Sequence, residues 1–251
     1  MVSLSPSLTS ILLGLGAREA IVGVDDSSAL FDPRVKELPR VGGLFNPSLE
    51  AIVALSPTAV ALVPSAQQRD LQDRLAALGI EVLALPNIGY RDVLSSILKL
   101  GDQVGRAAAA RVRVDAIEQS WSEMRARAAH EPRVRAVLVL QREPLYVVGR
   151  GSFLDAMLAA AGAENLAAGF RDPYPRVSVE WLIGAAPDLI LDAADPPGEA
   201  AAHWAHWPSL PAVAHGRVAT LDRRVTIPGP DLDRSLAALA ARVRGASTSA
   251  P

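Results

Sequence analysis

The sequence predicts an α/β chain made of two lobes of similar topology joined by a single long helix, and three observations carry that prediction. Between Pro86 and Pro132 there is no proline, and within that stretch Ala107, Ala110, Val114, Ile117, Trp121, Met124 and Ala128 recur at alternating spacings of three and four, the period of one buried helical stripe. On both sides lie shorter alternations of apolar strand and amphipathic helix, as parallel crossovers require. A segment also repeats: Glu50, seven residues before Pro57 and the apolar run after it, is echoed by Glu180, Pro187 and a second apolar run. Upstream, Pro39-Arg40-Val41 is echoed by Pro175-Arg176-Val177. The expected lobes are residues 1–105 and 131–251, with a connecting helix over 106–130 that is roughly 35 Å long at about 1.5 Å per residue.

The elements follow in order. Val2-Ser3-Leu4 reads as a strand that begins at once, and Ser5-Pro6-Ser7 opens a helix over 7–15. A strand over 20–24 precedes a polar stretch, 25–40, with little periodicity. In Val41-Gly42-Gly43-Leu44-Phe45-Asn46-Pro47, Asn46 fits an N-cap and Pro47 the first helical position, which predicts a helix to about Leu55. Strand 59–63, helix 67–78, strand 81–85 and a helix over 90–100 lead to the long helix.

The second half restarts with strand 136–140, followed by a segment, 143–148, that carries Pro144 and Tyr146. Gly149-Arg150-Gly151-Ser152 turns into a helix with Ser152 and Asp155 spaced as a capping box. The loop 170–176 holds Tyr174 between two prolines. Helix 179–185, strand 189–192, helix 199–206, strand 218–221 and helix 232–244 finish the chain, and the Ala/Ser-rich tail 245–251 is expected to fray.

Composition excludes several functions. Half the residues are apolar, the formal net charge is −2, and no basic run is interleaved with aromatics, so nucleic acid is not an expected partner. Without cysteine, disulfides and thiolate metal sites are ruled out. No apolar run reaches the ~18 residues that span a bilayer, so no direct membrane insertion is expected. The abrupt start inside a strand suggests that a targeting segment has been replaced by Met1, which would place the protein outside the cytoplasm.

No catalytic constellation is legible. None of the four histidines has a carboxylate or nucleophile at a recognisable spacing. His203 and His206 share a helix face without an indicated third metal ligand, so a solvated face beside Trp204 and Trp207 is the simpler reading. The 149–152 turn is too short for a phosphate loop and misses the nucleophile-elbow spacing. Phe45, Tyr146 and Tyr174 are expected in loops just before a helix or just after a strand, where open α/β sheets bind ligands, and rigid rings there suit a large flat or macrocyclic ligand. Glu50 and Glu180 each complement a helix dipole from the first turn. Their symmetric placement also suits a pair of negative anchors for a two-fold symmetric partner.

Val2-Ser3-Leu4-Ser5-Pro6-Ser7-Leu8-Thr9, the segment from Val41-Gly42-Gly43 to Leu49-Glu50, and Tyr174-Pro175-Arg176-Val177-Ser178-Val179-Glu180 together resemble the cobalamin-binding substrate-binding proteins of ABC importers. These belong to the helical-backbone class that also serves haem and ferric siderophores, the class III periplasmic binding proteins. The resemblance covers almost the whole chain. It implies a non-enzymatic, monomeric, periplasmic receptor that captures a corrinoid between its lobes and delivers it to the importer's membrane subunits.

By position, the resemblance implies that Glu50 and Glu180 dock onto transporter arginines. Leu44, Val63, Tyr146 and Tyr174 would line the corrinoid cleft with the segment Arg223-Arg224-Val225-Thr226, in which Arg224 and Thr226 are the contacting residues, and Phe45 and Ser65 would join them. Leu44, Val63 and Arg224 stand where the best-known cobalamin binders carry tryptophan, so a less aromatic cleft is expected, with Phe45 as a substitute. No cofactor and no protein ligand to cobalt are implied. Two alternatives stay open. One keeps the fold and binds a ferric siderophore through Arg142, Arg150, Arg176 and Arg224, or haem through Tyr146 or Tyr174. The other is a cytoplasmic α/β enzyme.

Overall fold

In the structure, a computed structural model, residues 1–247 are described. The chain divides into two compact units, Met1–Asn87 with Arg91–Asp115, and Ile88–Tyr90 with the chain from Ala116 onward.

The first unit begins with β1 (Val2–Ser3), α1 (Pro6–Gly14), β2 (Gly23–Val24) and α2 (Asp26–Phe31). It continues with β3 (Gly42–Gly43), β4 (Asn46–Pro47), α3 (Leu49–Ala54), β5 (Ala59–Leu62), α4 (Arg69–Ala77), β6 (Glu81–Ala84) and α5 (Tyr90–Gln103). Its parallel sheet has the order β2-β1-β5-β6. β5 is buried at all four positions, as a central strand covered on both faces must be. Val2, Leu4, Val41, Ile52, Val60, Leu62, Leu71 and Leu75 form the core on one side of it.

The long helix α6 (Ala107–Ala128) spans 22 residues, of which Ala107–Asp115 belong to the first unit and the rest to the second. The expected stripe is realised: Ala110, Val114, Ile117, Trp121 and Met124 are all buried. Gly101 is needed where α5 approaches α6, because a Cβ there would collide with that of Ala110. Farther along, within the second unit, to which Tyr90 belongs, the Trp121 ring lies 4.1 Å from that of Tyr90.

The second unit contains β7 (Val134–Gln141), β8 (Tyr146–Val147), α7 (Phe153–Ala160), β9 (Ala163–Asn165), α8 (Val179–Ala185) and β10 (Leu189–Asp192). α9 (Ala200–Trp204), α10 (Pro211–Ala214), β11 (Val218–Thr220) and α11 (Leu232–Ser247) complete it. β7 pairs in parallel with β9 through its first three residues and with β10 along its middle, and β10 pairs in parallel with β11. β8 adds an antiparallel strand at the end of β7. The parallel order β9-β7-β10-β11 is therefore that of β2-β1-β5-β6: in each unit the first strand lies between the second and third, and the fourth flanks the third.

Several expectations need correction. The strand expected over 20–24 is reduced to β2, because only Gly23 and Val24 find partners on the two-residue β1, and Arg18–Ala20 forms a 3₁₀ turn. The stretch 25–40, which shows little periodicity, still contains two short capped helical turns. Asp25 caps α2 by accepting from the Ser28 amide at 3.0 Å, and Asp32 caps a second turn through Arg34; such short capped helices are too brief to show a period. Asn46 does not cap α3. With Pro47 it pairs antiparallel to Gly42 and Gly43, and the cap is Ser48, whose hydroxyl accepts from the Ala51 amide at 3.2 Å. Gly42, at φ 102°, lets the chain reverse there.

The helix over 199–206 contracts to α9, since the chain turns back at Trp204 and Trp207. β9 and α10 were not read from the sequence, being too short to carry a pattern. α11 continues to Ser247, past the point where fraying was expected, and residues 248–251 lie outside the described residues.

Candidate functional site

In sheets ordered this way, ligands sit beyond the carboxyl ends of the strands, at the point where the strand order reverses. In the first unit that point lies past β1 and β5; in the second, past β7 and β10.

Past β5, the chain leaves through Val63 and Ser65, both half-buried, to Gln68, which is 3 % exposed. The Gln68 Nε2 donates to the Leu44 carbonyl at 2.7 Å, tying down the hairpin between β3 and β4. Phe45, beside Leu44 at its tip, is 67 % exposed. Gln68 Oε1 and Ser65 Oγ are both buried with no hydrogen-bond partner. A buried unsatisfied polar group costs about 1–3 kcal/mol. Leu44, Val63 and Ser65 are thus placed around Gln68 or on the chain leading to it. Gln68 itself was not singled out from the sequence, where only its position just after an apolar strand marked it.

In the second unit a recess of about 330 Å³ is lined by Leu140, Leu154, Tyr174, Ala193, Arg223 and Thr226. Leu140 belongs to β7 and Ala193 follows β10, so the recess lies at the point the sheet order specifies. Burial pushes the Tyr174 phenol up from 10.0 to about 12. The loop that holds it is fixed at both ends of the turn: the Tyr174 amide donates to Asp172 Oδ1 at 2.9 Å and the Gly149 amide to the Pro173 carbonyl at 2.9 Å. A Cβ on Gly149 would run into the Asp172 carbonyl and lie 2.8 Å from the Pro175 ring. Thr226 Oγ1 donates to the Arg223 carbonyl at 2.7 Å, and Arg223 pairs with Asp195.

Of the second-unit residues expected to contact ligand, Tyr174 and Thr226 come together and two do not. Tyr146 is in strand β8, bridged to Arg176, and not in a loop as expected. Arg224 is 82 % exposed and lies 3.9 Å from Asp222, while its neighbour Arg223 lines the recess. In a tight turn adjacent residues diverge, and spacing in the sequence cannot say which of two arginines points inward.

Behind the recess, fully buried Asp192 takes hydrogen bonds from Arg142 Nε at 3.1 Å and Nη2 at 3.2 Å, Trp204 Nε1 at 2.6 Å and the Ala194 amide at 2.9 Å. The Arg142 charge is therefore spent on Asp192, which corrects its expected availability to an anionic ligand. Arg150 donates through Nε to the Ala168 carbonyl at 2.8 Å, a neutral partner that leaves its charge uncompensated. The His203 ring packs 4.9 Å from that of Trp204, and desolvation, with the Arg142 charge second, lowers its pKa. At α7, the Ser152 hydroxyl accepts from the Asp155 amide, but Asp155 returns a bond to the Gly151 amide, one residue earlier than a standard capping box.

Glu50 and Glu180 stand fully exposed in the first turns of α3 and α8. Ser48 donates to Glu50 Oε2 at 3.1 Å. The Glu50 carboxyl is held below the usual range by its own backbone amide and then by Ser48, and that of Glu180 by the Ser178 hydroxyl and then its own amide. Three residues on, Val53 and Ile183 are 38 % and 39 % exposed, so each unit presents a charged carboxylate beside an aliphatic side chain.

Known proteins share this architecture. The chain is 25 % identical over 193 residues to the vitamin B12-binding protein of Salmonella choleraesuis (strain SC-B67), covering 77 % of this chain and 71 % of that protein. Its structure is similar to the apo form of the periplasmic heme-binding protein RhuT from Roseiflexus sp. RS-1, with a TM-score of 0.83, 26 % identity and 98 % of each chain covered. The periplasmic vitamin B12 binding protein BtuF of Vibrio cholerae has the same fold, with a TM-score of 0.84, 21 % identity, and 98 % of this chain and 96 % of that one covered. The family model for periplasmic binding proteins matches residues 1–225. With two units of one topology and a long helix passing from one to the other, the chain belongs to the periplasmic binding protein family.

Proposed function

We propose that the protein is the receptor for a corrinoid of the cobalamin type, which it captures in the periplasm and hands to an ABC importer. Membership of the family makes it a substrate-binding protein with an ABC transporter as partner, and not an enzyme. The choice of cargo rests on Tyr174. Its ring and protonated hydroxyl line the recess beside Leu140, Leu154 and Ala193, a mostly apolar wall that suits a large uncharged macrocycle. Relatives described as vitamin B12-binding proteins support the same choice.

The residues assigned to the ligand are Leu44, Phe45, Val63 and Ser65 in the first unit, and Tyr174 and Thr226 with Arg223 in the second. Tyr146 and Arg224 do not line the second unit's recess. Glu50 and Glu180 serve as the docking carboxylates. The protein acts as a monomer.

Haem is the second reading, favoured by the 26 % identity to a heme-binding protein over nearly the whole chain. For a ferric siderophore, Arg142 is not available, since Asp192 neutralises it.

Titration of the purified protein with cyanocobalamin, haemin and a ferric siderophore, followed by tryptophan fluorescence and calorimetry, tests the proposal. One-to-one binding of the corrinoid alone is expected. Haem binding without corrinoid binding would move the assignment to the second reading.

A further inference from the structure

We propose that Gln68 and Ser65 form a subsite that reads a carboxamide arm of the ligand, with Gln68 Oε1 accepting its N–H and Ser65 Oγ donating to its carbonyl. The inference rests on the corrinoid reading and names the part of the ligand that is recognised. Corrinoids of the cobalamin type carry acetamide and propionamide arms around the ring, whereas haem carries carboxylates.

The orientation of the Gln68 side chain is fixed by its partner. The Leu44 carbonyl can only accept, so the group facing it at 2.7 Å must be the amide nitrogen, and the oxygen is turned the other way. That oxygen is buried without a partner, as is the Ser65 hydroxyl. The Gln68 amide donates to the Ser65 carbonyl at 3.2 Å, so both groups belong to the turn that follows β5. One free acceptor and one hydroxyl complement a carboxamide, which offers a donor and an acceptor together. A carboxylate offers lone pairs alone: it satisfies Ser65 and leaves Gln68 Oε1 facing another acceptor. Neither atom is open to solvent, so the arm enters as the tip at Leu44 and Phe45 shifts, and the Gln68–Leu44 bond is what holds that tip.

The test compares dicyanocobinamide with dicyanocobyrinic acid, which has carboxylates in place of the amide arms, by calorimetric titration of the wild-type protein, Gln68→Leu and Ser65→Ala. The wild-type protein is expected to prefer the amide form by about tenfold or more. Gln68→Leu should bring that ratio close to one by weakening the amide form, and Ser65→Ala should weaken both forms.

An unchanged ratio in Gln68→Leu would overturn the inference while leaving the corrinoid assignment standing. Failure of the wild-type protein to bind either corrinoid would overturn the functional reading and the inference with it. Should Gln68→Leu not fold, the Ser65→Ala titration decides, since unchanged affinity for cobinamide there removes one of the two contacts.

Discussion

Ser56 and Ala186 share one backbone conformation: φ is 46° at the first and 47° at the second, in the left-handed region that side chains avoid. Each ends a short Ser-capped helix, precedes a buried proline, and leads into a strand buried throughout, β5 or β10. The repeat seen in the sequence therefore extends to a strained residue that the letters do not mark. Replacing either by valine should destabilise its unit by about 1–3 kcal/mol, because β-branching is worst in this region. Glycine should change stability by less than about 1 kcal/mol, since strain relief is offset by a freer unfolded chain. Urea unfolding of the four single variants measures both.

Asp192 and Arg142 stabilise only as a pair. Arg142→Leu should cost about 3–5 kcal/mol, because it leaves a buried carboxylate compensated only by Trp204 and one amide. The Trp204 indole bonds the same carboxylate, so its fluorescence should change on the substitution in the folded protein. An unchanged unfolding midpoint would show that the pair carries no net stability.

Docking should follow the charge of Glu50 and Glu180. Both carboxyls titrate below their ordinary value of 4.5, so they are fully charged above it and lose their charge only as pH falls through the lowered pKa. Stimulation of a reconstituted importer should therefore persist as pH falls to the ordinary carboxyl value of 4.5 and below it, failing only once the lowered pKa is crossed. Raising the salt should also weaken it, since exposed pairs are screened. Glu50→Gln with Glu180→Gln should abolish stimulated uptake and leave ligand affinity unchanged. Loss of affinity in that variant would remove the docking assignment.

Tyr174 should be the source of a late alkaline transition. Its phenol titrates at about 12 against 10.0 when exposed, so the folded chain keeps a proton that the unfolded chain has already lost. Stability must then fall as pH rises from about 10 to about 12. Ultraviolet titration of tyrosinate should show this step in the wild-type protein and lose it in Tyr174→Phe.

The sequence by itself determined the long helix, the repeat around Glu50 and Glu180, and the central strands, because each depends on a pattern longer than its noise. The stripe on α6 extends over 22 residues, and helix 179–185 and strand 189–192 fall where they were expected. Tyr174 was singled out as a loop aromatic and Thr226 through resemblance to a family, and both line the recess.

Only the tertiary structure decided the rest. Whether Asn46 or Ser48 capped α3 depended on a pairing with Gly42 and Gly43 that forms only when the hairpin closes. Whether Arg142 was free depended on Asp192, fifty residues away and brought beside it by the pairing of β7 with β10. The orientation of the Gln68 side chain depended on a carbonyl 24 residues earlier. Hydrogen-bond partners of this kind are set by which strands lie side by side, and a linear pattern records the period of an element but not its neighbours.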